Sequence, residues 1–297
     1  MSDLGTLPER HASTPPSGLQ DVNSSERVFA DVLCAVNGTR RSFAAVEQAA
    51  ILTGSSGHLT LLSVTAVTGA GAYRGAAISP ARADHILSQA ARMAADADVS
   101  CDSIVDPGGP PREVVLARAA SHSLLAIGAP RGSWLLNAVR DDSVSKAALG
   151  ALTTSLLVAR SLPGGNLGFA QRLLIASDGE EDSDQLVELA ARIGGEQGSR
   201  AVLLSATGTE TDAHRERIQE QGRRLEETLD RNSELRVEIA DAAEAIVRTA
   251  KETNASLVVM GARRVKGLRA LGSVSRRVLS EAHCSVLVIP PERLRGQ

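Results

Sequence analysis

The chain has 297 residues, a formal net charge of −3 and 43% hydrophobic residues, but only 2% aromatic residues. The length fits two domains of ordinary size, and the near-neutral charge gives no reason to expect nucleic acid or a membrane surface as a partner. No apolar run approaches the roughly 20 residues that span a bilayer. We therefore expect a protein of the cytoplasm.

Residues 1–26 precede the first apolar run and are rich in proline, serine and charged side chains. This composition predicts a disordered tail, and it lacks the apolar segment of a secretory signal. Three cysteines, Cys34, Cys101 and Cys284, lie beside or within strand-like runs far apart in the sequence. That placement predicts buried, reduced thiols and no disulfide framework.

Beyond the tail, apolar runs of five to eight residues alternate with stretches of helical period. In the second half, one-sided apolar stripes predict helices over Gln185–Ile193, Asp212–Leu229 and Ala242–Thr253. The strands are apolar on both faces, which is typical of a parallel sheet covered by helices on each side. Right-handed crossovers then make each sheet doubly wound.

The chain repeats itself. "FADVLCAVNG" (29–38) is similar to "QRLLIASDG" (171–179), and "HLTLLSVT" (58–65) to "RAVLLSAT" (200–207). "SHSLLAIGAP" (121–130) and the stretch 142–161 have counterparts in the same order at 254–263 and 272–291. The repeat predicts an α/β fold of two tandem doubly wound, Rossmann-like parallel five-stranded sheets. The strand order that we expect, 3-2-1-4-5, rests on where the most distinctive loops lie. The expected domains are 27–161 and 168–292, with a linker at 162–167 and a tail at 293–297.

In such sheets, ligands bind beyond the carboxyl ends of the strands, where the strand order reverses. The order 3-2-1-4-5 makes the first and fourth strands of each half neighbours at that point. These two strands are also followed by the most distinctive loops, an Asp-Gly pair at 178–179 and a glycine-rich basic loop at 261–273.

An Asp-Gly after the first strand and a glycine loop with Gly-Ser-Val-Ser after the fourth resemble the universal stress protein family. The resemblance covers 27–161 and 168–292 and implies a tandem universal stress protein. Its most specific segment is "GSVSRRVLSEAHCSVLVIPP" (272–291). For the nucleotide-binding branch of the family it implies a stress-response protein that binds ATP. The site residues that it implies are Asp178, Met260, Gly261, Arg263, Arg264, Gly272, Ser273 and Val274.

This sequence departs from the family pattern in both halves. In the second half, Arg264 stands where the family has its middle glycine, and the loop is two residues shorter. In the first half, Asn37 replaces the aspartate and Asp142-Ser143 replaces the final Gly-Ser, which places a carboxylate where phosphate oxygens would lie. Gly128 keeps the glycine of the fourth strand. We therefore expect nucleotide binding in the second half only.

The loop also has a physical interpretation. A helix predicted around Val274–Glu281, with Ser273 as its N-cap, would offer backbone N–H groups to an anion, worth about 0.3–1 kcal/mol and up to ~2 kcal/mol when partly buried. The alternative is that Gly261 simply ends a strand, Ser273 is an ordinary cap and the arginines lie on a solvated loop. "GAGAYRG" (69–75) is expected to form a loop over the switch point.

We expect neither a metal site nor a catalytic centre, because no nucleophile has a matching base and no histidines have metal-ligand spacing. A nucleotide-free interaction scaffold is the first alternative to ATP binding, and a slow ATPase is a weaker one, because the sequence offers no candidate general base for it. A protein partner or a second copy of the chain is also open. The fifth strands, Ser155–Arg160 and Ser285–Ile289, would leave apolar edges, so we expect them to pair within one chain as an intramolecular pseudo-dimer.

Overall fold

The structure is a computed structural model that describes residues 28–65, 78–129, 154–161, 168–209, 211–262 and 272–294. Several sequence expectations fall outside these residues. They concern the tail 1–26, the 69–75 loop, the linker 162–167, Arg263 with Arg264, and Asp142 with Ser143.

The first half alternates strands and helices, as its periodicity predicts. Thr39 caps the first helix by accepting the N–H of Ser42, and Ser79 caps the second, which has a proline at its start. The elements are β1 (Asp31–Ala35), α1 (Arg40–Thr53), β2 (His58–Val64), α2 (Pro80–Asp96), β3 (Ser100–Asp106), α3 (Pro111–Ala119), β4 (Leu124–Gly128) and β5 (Ser155–Ala159).

The second half repeats the pattern, and its three predicted helices are confirmed. The elements are β6 (Arg172–Ser177), α4 (Asp182–Gln197), β7 (Arg200–Thr207), α5 (Asp212–Leu229), β8 (Glu234–Ile239), α6 (Ala242–Glu252), β9 (Leu257–Gly261), α7 (Ser273–Glu281), β10 (Ser285–Ile289) and α8 (Pro291–Leu294). None of the described helices is long and apolar enough to cross a membrane.

The strands form one ten-stranded sheet with the order β3-β2-β1-β4-β5-β10-β9-β6-β7-β8. Each half has the predicted 3-2-1-4-5 order, and every pair within a half is parallel. The halves join where β5 and β10 pair antiparallel, with Leu157 opposite Leu287. The predicted pairing of the fifth strands is confirmed, and it merges the two predicted sheets into one.

A buried polar bridge crosses this seam. Gln48 on α1 is fully buried; its Nε2 donates to the carbonyl of Arg160 at 2.8 Å, and its Oε1 accepts from Ser285 Oγ at 2.7 Å. The Arg160 guanidinium in turn donates to the carbonyls of Cys284 and Leu279, near the C-terminus of α7. Side chains of one half thus satisfy backbone groups of the other.

The core consists of the apolar strands and the inner faces of the helices, as the near absence of aromatic residues predicts. Cys34 and Cys284 are buried in it and all three thiols are free, but Cys101 is only half-buried. The prediction of burial is wrong for Cys101 because β3 is an edge strand and its face is incompletely covered. Burial raises the pKa of the Cys284 thiol to about 11 and also raises that of Cys34.

Candidate functional site

The strand order of the second half reverses between β6 and β9, which pair in parallel with Ala176 opposite Met260. Asp178 directly follows β6, and Gly261 is the last residue of β9. Both therefore lie at the same carboxyl edge of the sheet. The structure thus brings two of the residues implied by the sequence to the switch point, where α/β sheets bind ligands.

Asp178 begins a tight turn between β6 and α4. Its Oδ1 accepts the N–H of Glu180 at 3.1 Å and the hydroxyl of Ser183 at 2.6 Å, so the half-buried carboxylate is held in one orientation. Gly179 has φ +75°, a left-handed conformation in which a side chain would be strained. The Asp-Gly pair is therefore a geometric requirement of this turn.

A chain of polar contacts supports the turn from behind. Gly179 N–H donates to Ser177 Oγ at 3.1 Å, and Ser177 Oγ donates to Gln221 Oε1 at 2.6 Å. Gln221 Nε2 donates to Asp184 Oδ1 at 2.6 Å, and this links α5 to the first turn of α4. Since Ser177 and Gln221 are buried, these bonds fix the turn relative to both helices.

His214 also lies against the turn, and sequence reasoning missed it. A Cβ added at Gly179 would lie 2.6 Å from His214 Nδ1, while His214 Nε2 lies 3.0 Å from the Oγ of fully buried Ser205. The position of His214 in the first turn of α5 has a local cause, because Thr211 caps this helix by accepting the N–H of His214. Its approach to Gly179, however, is a tertiary contact with no local pattern.

The family resemblance predicts that the N-terminus of α7 is the end that would bind phosphate. Gly272 is the N-cap, and no side chain caps it among the described residues. The predicted cap at Ser273 is wrong, because Ser273 is already the first helical residue and Gly272 O accepts the N–H of Arg276. Ser273 is exposed and Val274 is partly buried. The first N–H groups of α7 lie at the carboxyl edge, because the helix runs back along the sheet towards β10.

The described residues leave room at the end of β9. Among them, the atom nearest to a Cβ added at Gly261 would be Leu186 Cδ2, at 3.9 Å. The Met260 side chain is buried in the core, so this residue can offer a ligand only its backbone. Arg263 and Arg264 lie outside the described residues.

The matching position of the first half is closed. A Cβ added at Gly128 would lie 2.5 Å from the carbonyl carbon of Arg41, a backbone atom in the first turn of α1. The Arg41 guanidinium donates to the carbonyl of Ala129 at 3.3 Å, across the end of β4. The Asn37 side chain accepts the N–H and the hydroxyl of Thr39, so both of these hydrogen bonds lie within the turn that follows β1. The two halves share a fold but differ in the space at their switch points.

Within the described part of the chain, no three histidine, cysteine or acidic side chains come close enough to hold a metal ion.

Comparison with known proteins identifies relatives of the fold. A sequence model described as the Universal stress protein family matches residues 170–290. No curated protein matches the chain. A universal stress protein from Archaeoglobus fulgidus DSM 4304 has 20% sequence identity and a TM-score of 0.68, covering 89% of this chain and 97% of its own. A functionally unknown protein from Pseudomonas aeruginosa PAO1 has 18% identity and a TM-score of 0.65, covering 90% and 95%.

A smaller structure, a universal stress protein in complex with cAMP, covers 41% of this chain and 97% of its own, at 23% identity and a TM-score of 0.36. The two long relatives show that the fold with two halves is shared over most of the chain. At these identities the likeness concerns the fold alone.

Proposed function

We propose that this chain, whose residues 170–290 form a universal stress protein domain and whose first half repeats the same fold, is a stress-response protein that binds ATP or another adenine nucleotide. The binding site is the crevice of the second half, between the ends of β6 and β9 and the N-terminus of α7.

One observation carries the assignment to the second half. Among the described residues, the atom nearest to the Cβ position of Gly261 is 3.9 Å away, whereas the backbone of Arg41 lies 2.5 Å from the Cβ position of Gly128. A phosphate chain that passes over the end of the fourth strand needs that space, and α1 occupies it in the first half. This matches the departures of Asn37 and Asp142 from the family pattern.

Each residue of the site has a distinct role in this proposal. The N–H groups of Gly272, Ser273 and Val274 bind phosphate oxygens, with a gain of about 0.3–1 kcal/mol that rises to ~2 kcal/mol on partial burial. Asp178 accepts a ribose hydroxyl, since its carboxylate is a hydrogen-bond acceptor that the bonds from Glu180 and Ser183 hold in one orientation at the carboxyl edge. Met260 contributes only its backbone groups to the site. Gly261, which has no side chain, leaves room for the phosphate chain at the end of β9.

The family resemblance adds Arg263 and Arg264 to the proposed site as sources of positive charge for the phosphates. In the sequence they follow Gly261, the last residue of β9, by two and three positions, and they precede the helix that begins at Ser273.

Calorimetric titration with ATP tests the proposal, together with a search for adenine nucleotide released when the purified protein is denatured. Gly272→Val places a side chain at the phosphate position and should abolish binding without unfolding the protein. Asp178→Ala should weaken binding by about 0.5–3 kcal/mol, the range for one hydrogen bond including charge-assisted ones. Asn37→Ala is the matched control and should leave the affinity unchanged. If only the control lost binding, the site would lie in the first half and the proposed assignment would be wrong.

A nucleotide-free interaction scaffold is the second candidate, and the β5–β10 seam favours it. The antiparallel pair and the bridge through Gln48 join the halves into one continuous sheet through contacts of the chain itself. Absence of bound nucleotide and of heat at millimolar ATP would decide for the scaffold. Release of inorganic phosphate above the spontaneous rate would instead identify a slow ATPase.

A further inference from the structure

Among the described strands, β8 is the last strand of the sheet and pairs with β7 on one side only. Ala240 N–H donates to the Thr207 carbonyl, so backbone groups of even-numbered residues face β7. Because these directions alternate along a strand, the N–H and C=O groups of Leu235, Val237 and Ile239 face the open edge.

The open edge is also apolar on one face. Among the described residues, the two large hydrophobic side chains that are exposed both belong to β8: Leu235 is 39% exposed and Ile239 is 69% exposed. Val237 lies between them on the same face and packs partly against the core. Exposed apolar side chains on an edge strand favour pairing with another strand.

The other face of β8 carries alternating charges, Glu234, Arg236 and Glu238. Arg236 contacts Glu234 at 2.6 Å and Glu252 of α6 at 2.9 Å, and Glu238 contacts Arg248 of the same helix. These contacts hold the charged row in place along the edge.

We infer that β8 pairs antiparallel with β8 of a second copy of this chain, with the twofold axis at Val237. In this register Arg236 lies opposite Glu238 of the other copy in both symmetry-related positions. Leu235 lies opposite Ile239, and Val237 lies opposite itself, which covers the exposed apolar row. Glu234 lies opposite Ala240, so no like charges face each other.

Charge favours this register over the two registers whose twofold axis lies one residue away along β8. A twofold axis at Arg236 places Arg236 opposite itself and Glu234 opposite Glu238, and an axis at Glu238 places two glutamates together. Like charges directly opposite on paired strands are destabilising, while opposite charges and apolar pairs are stabilising. With the axis at Val237, the outward backbone groups of residues 235, 237 and 239 also meet one another as hydrogen-bonded pairs.

The opposite edge of the sheet lacks this complementarity. On β3, an axis at the central residue, Ser103, places Asp102 opposite Ile104 and Ser100 opposite Asp106, so no opposite charges pair. A second copy therefore joins through β8, and the result is a continuous twenty-stranded sheet. Since two six-residue edges bury less area than the about 1,200 Å² of a standard interface, the dimer is concentration-dependent.

Sedimentation velocity across a wide concentration range, on the full chain without nucleotide, tests this inference with reversed charges. Arg236→Glu and Glu238→Arg each turn two attractive pairs into two repulsive ones and should weaken the dimer by roughly tenfold or more. Mixed in equal amounts, the two variants form a heterodimer in which both pairs are attractive again. The mixture should therefore dimerise more strongly than either variant alone, and so should the double variant R236E/E238R.

Asp102→Arg, a charge reversal on the opposite edge, is the matched control and should dimerise as the wild type does. Circular dichroism confirms that each variant is folded, since the single changes also remove contacts with α6. A monomer at every wild-type concentration overturns the inference. So does a mixture that associates no better than the separate variants, because only the Val237 register pairs Arg236 with Glu238. ATP titration is unaffected by either result, so this inference and the proposed function are tested separately.

Discussion

Gly128 and Gly261 occupy equivalent positions at the ends of β4 and β9, and we predict opposite responses to alanine. In Gly128→Ala the new Cβ would lie 2.5 Å from the carbonyl carbon of Arg41, 2.6 Å from its oxygen and 2.7 Å from the Ser42 nitrogen. All three are backbone atoms, so no side chain can rotate away. The first turn of α1 must move by about an ångström to reach ordinary contact.

The cost of that movement is that of an overpacked core, about 1–3 kcal/mol. For a domain of this size each kcal/mol lowers Tm by roughly 2–4 °C, so Gly128→Ala should melt several degrees below the wild type. In Gly261→Ala the nearest atom of the described residues is Leu186 Cδ2 at 3.9 Å, an ordinary contact. Its stability should change by no more than about 0.5 kcal/mol.

Thermal unfolding followed by circular dichroism measures both variants side by side. ATP titration adds a second readout, because the methyl group of Gly261→Ala enters the proposed binding crevice and should weaken affinity in a protein of unchanged stability. Equal melting temperatures for the two variants, or a lower one for Gly261→Ala, would refute the structural difference between the two crevices.

Two further predictions concern buried groups. Gln48→Leu leaves the Arg160 carbonyl without one of its donors inside the seam and should destabilise the chain by about 1–3 kcal/mol in urea unfolding; an unchanged midpoint would mean that the bridge contributes nothing. A thiol reagent at about pH 8 should label Cys101 in the native protein and reach Cys34 and Cys284 only on unfolding. At about pH 9 the native protein should still protect Cys284 from the reagent, because its pKa of about 11 keeps the thiol protonated. Labelling of Cys284 in the native protein at the rate of Cys101 would contradict this prediction.

Periodicity in the sequence predicted most of the fold. The repeated segments and the alternation of apolar runs with helical stripes predicted both halves, and α5 has the predicted bounds, Asp212–Leu229. The 3-2-1-4-5 order was expected from the distinctive loops after the first and fourth strands, and the structure has it. Buried side chains recur every two residues along a strand and every 3.6 residues along a helix. A short window of sequence is long enough to show either period, so these elements can be predicted locally. The prediction was wrong by one residue at the start of α7, because Ser273 is a good cap by type and only the backbone distinguishes it from Gly272.

The sequence also determined the content of the candidate site, namely Asp178, Gly261 and the helix that begins at Ser273. Only the tertiary structure decided how those parts differ from the first half. Gly128 and Gly261 end similar strands, yet the backbone of α1 lies 2.5 Å from the Cβ position of Gly128, while the nearest described atom to that of Gly261 is 3.9 Å away. Such an approach depends on how a helix packs across a strand, to within an ångström, and no local spacing encodes that distance. The contact of His214 with Gly179, and that of Gln48 with a serine 237 residues away, were decided by packing for the same reason.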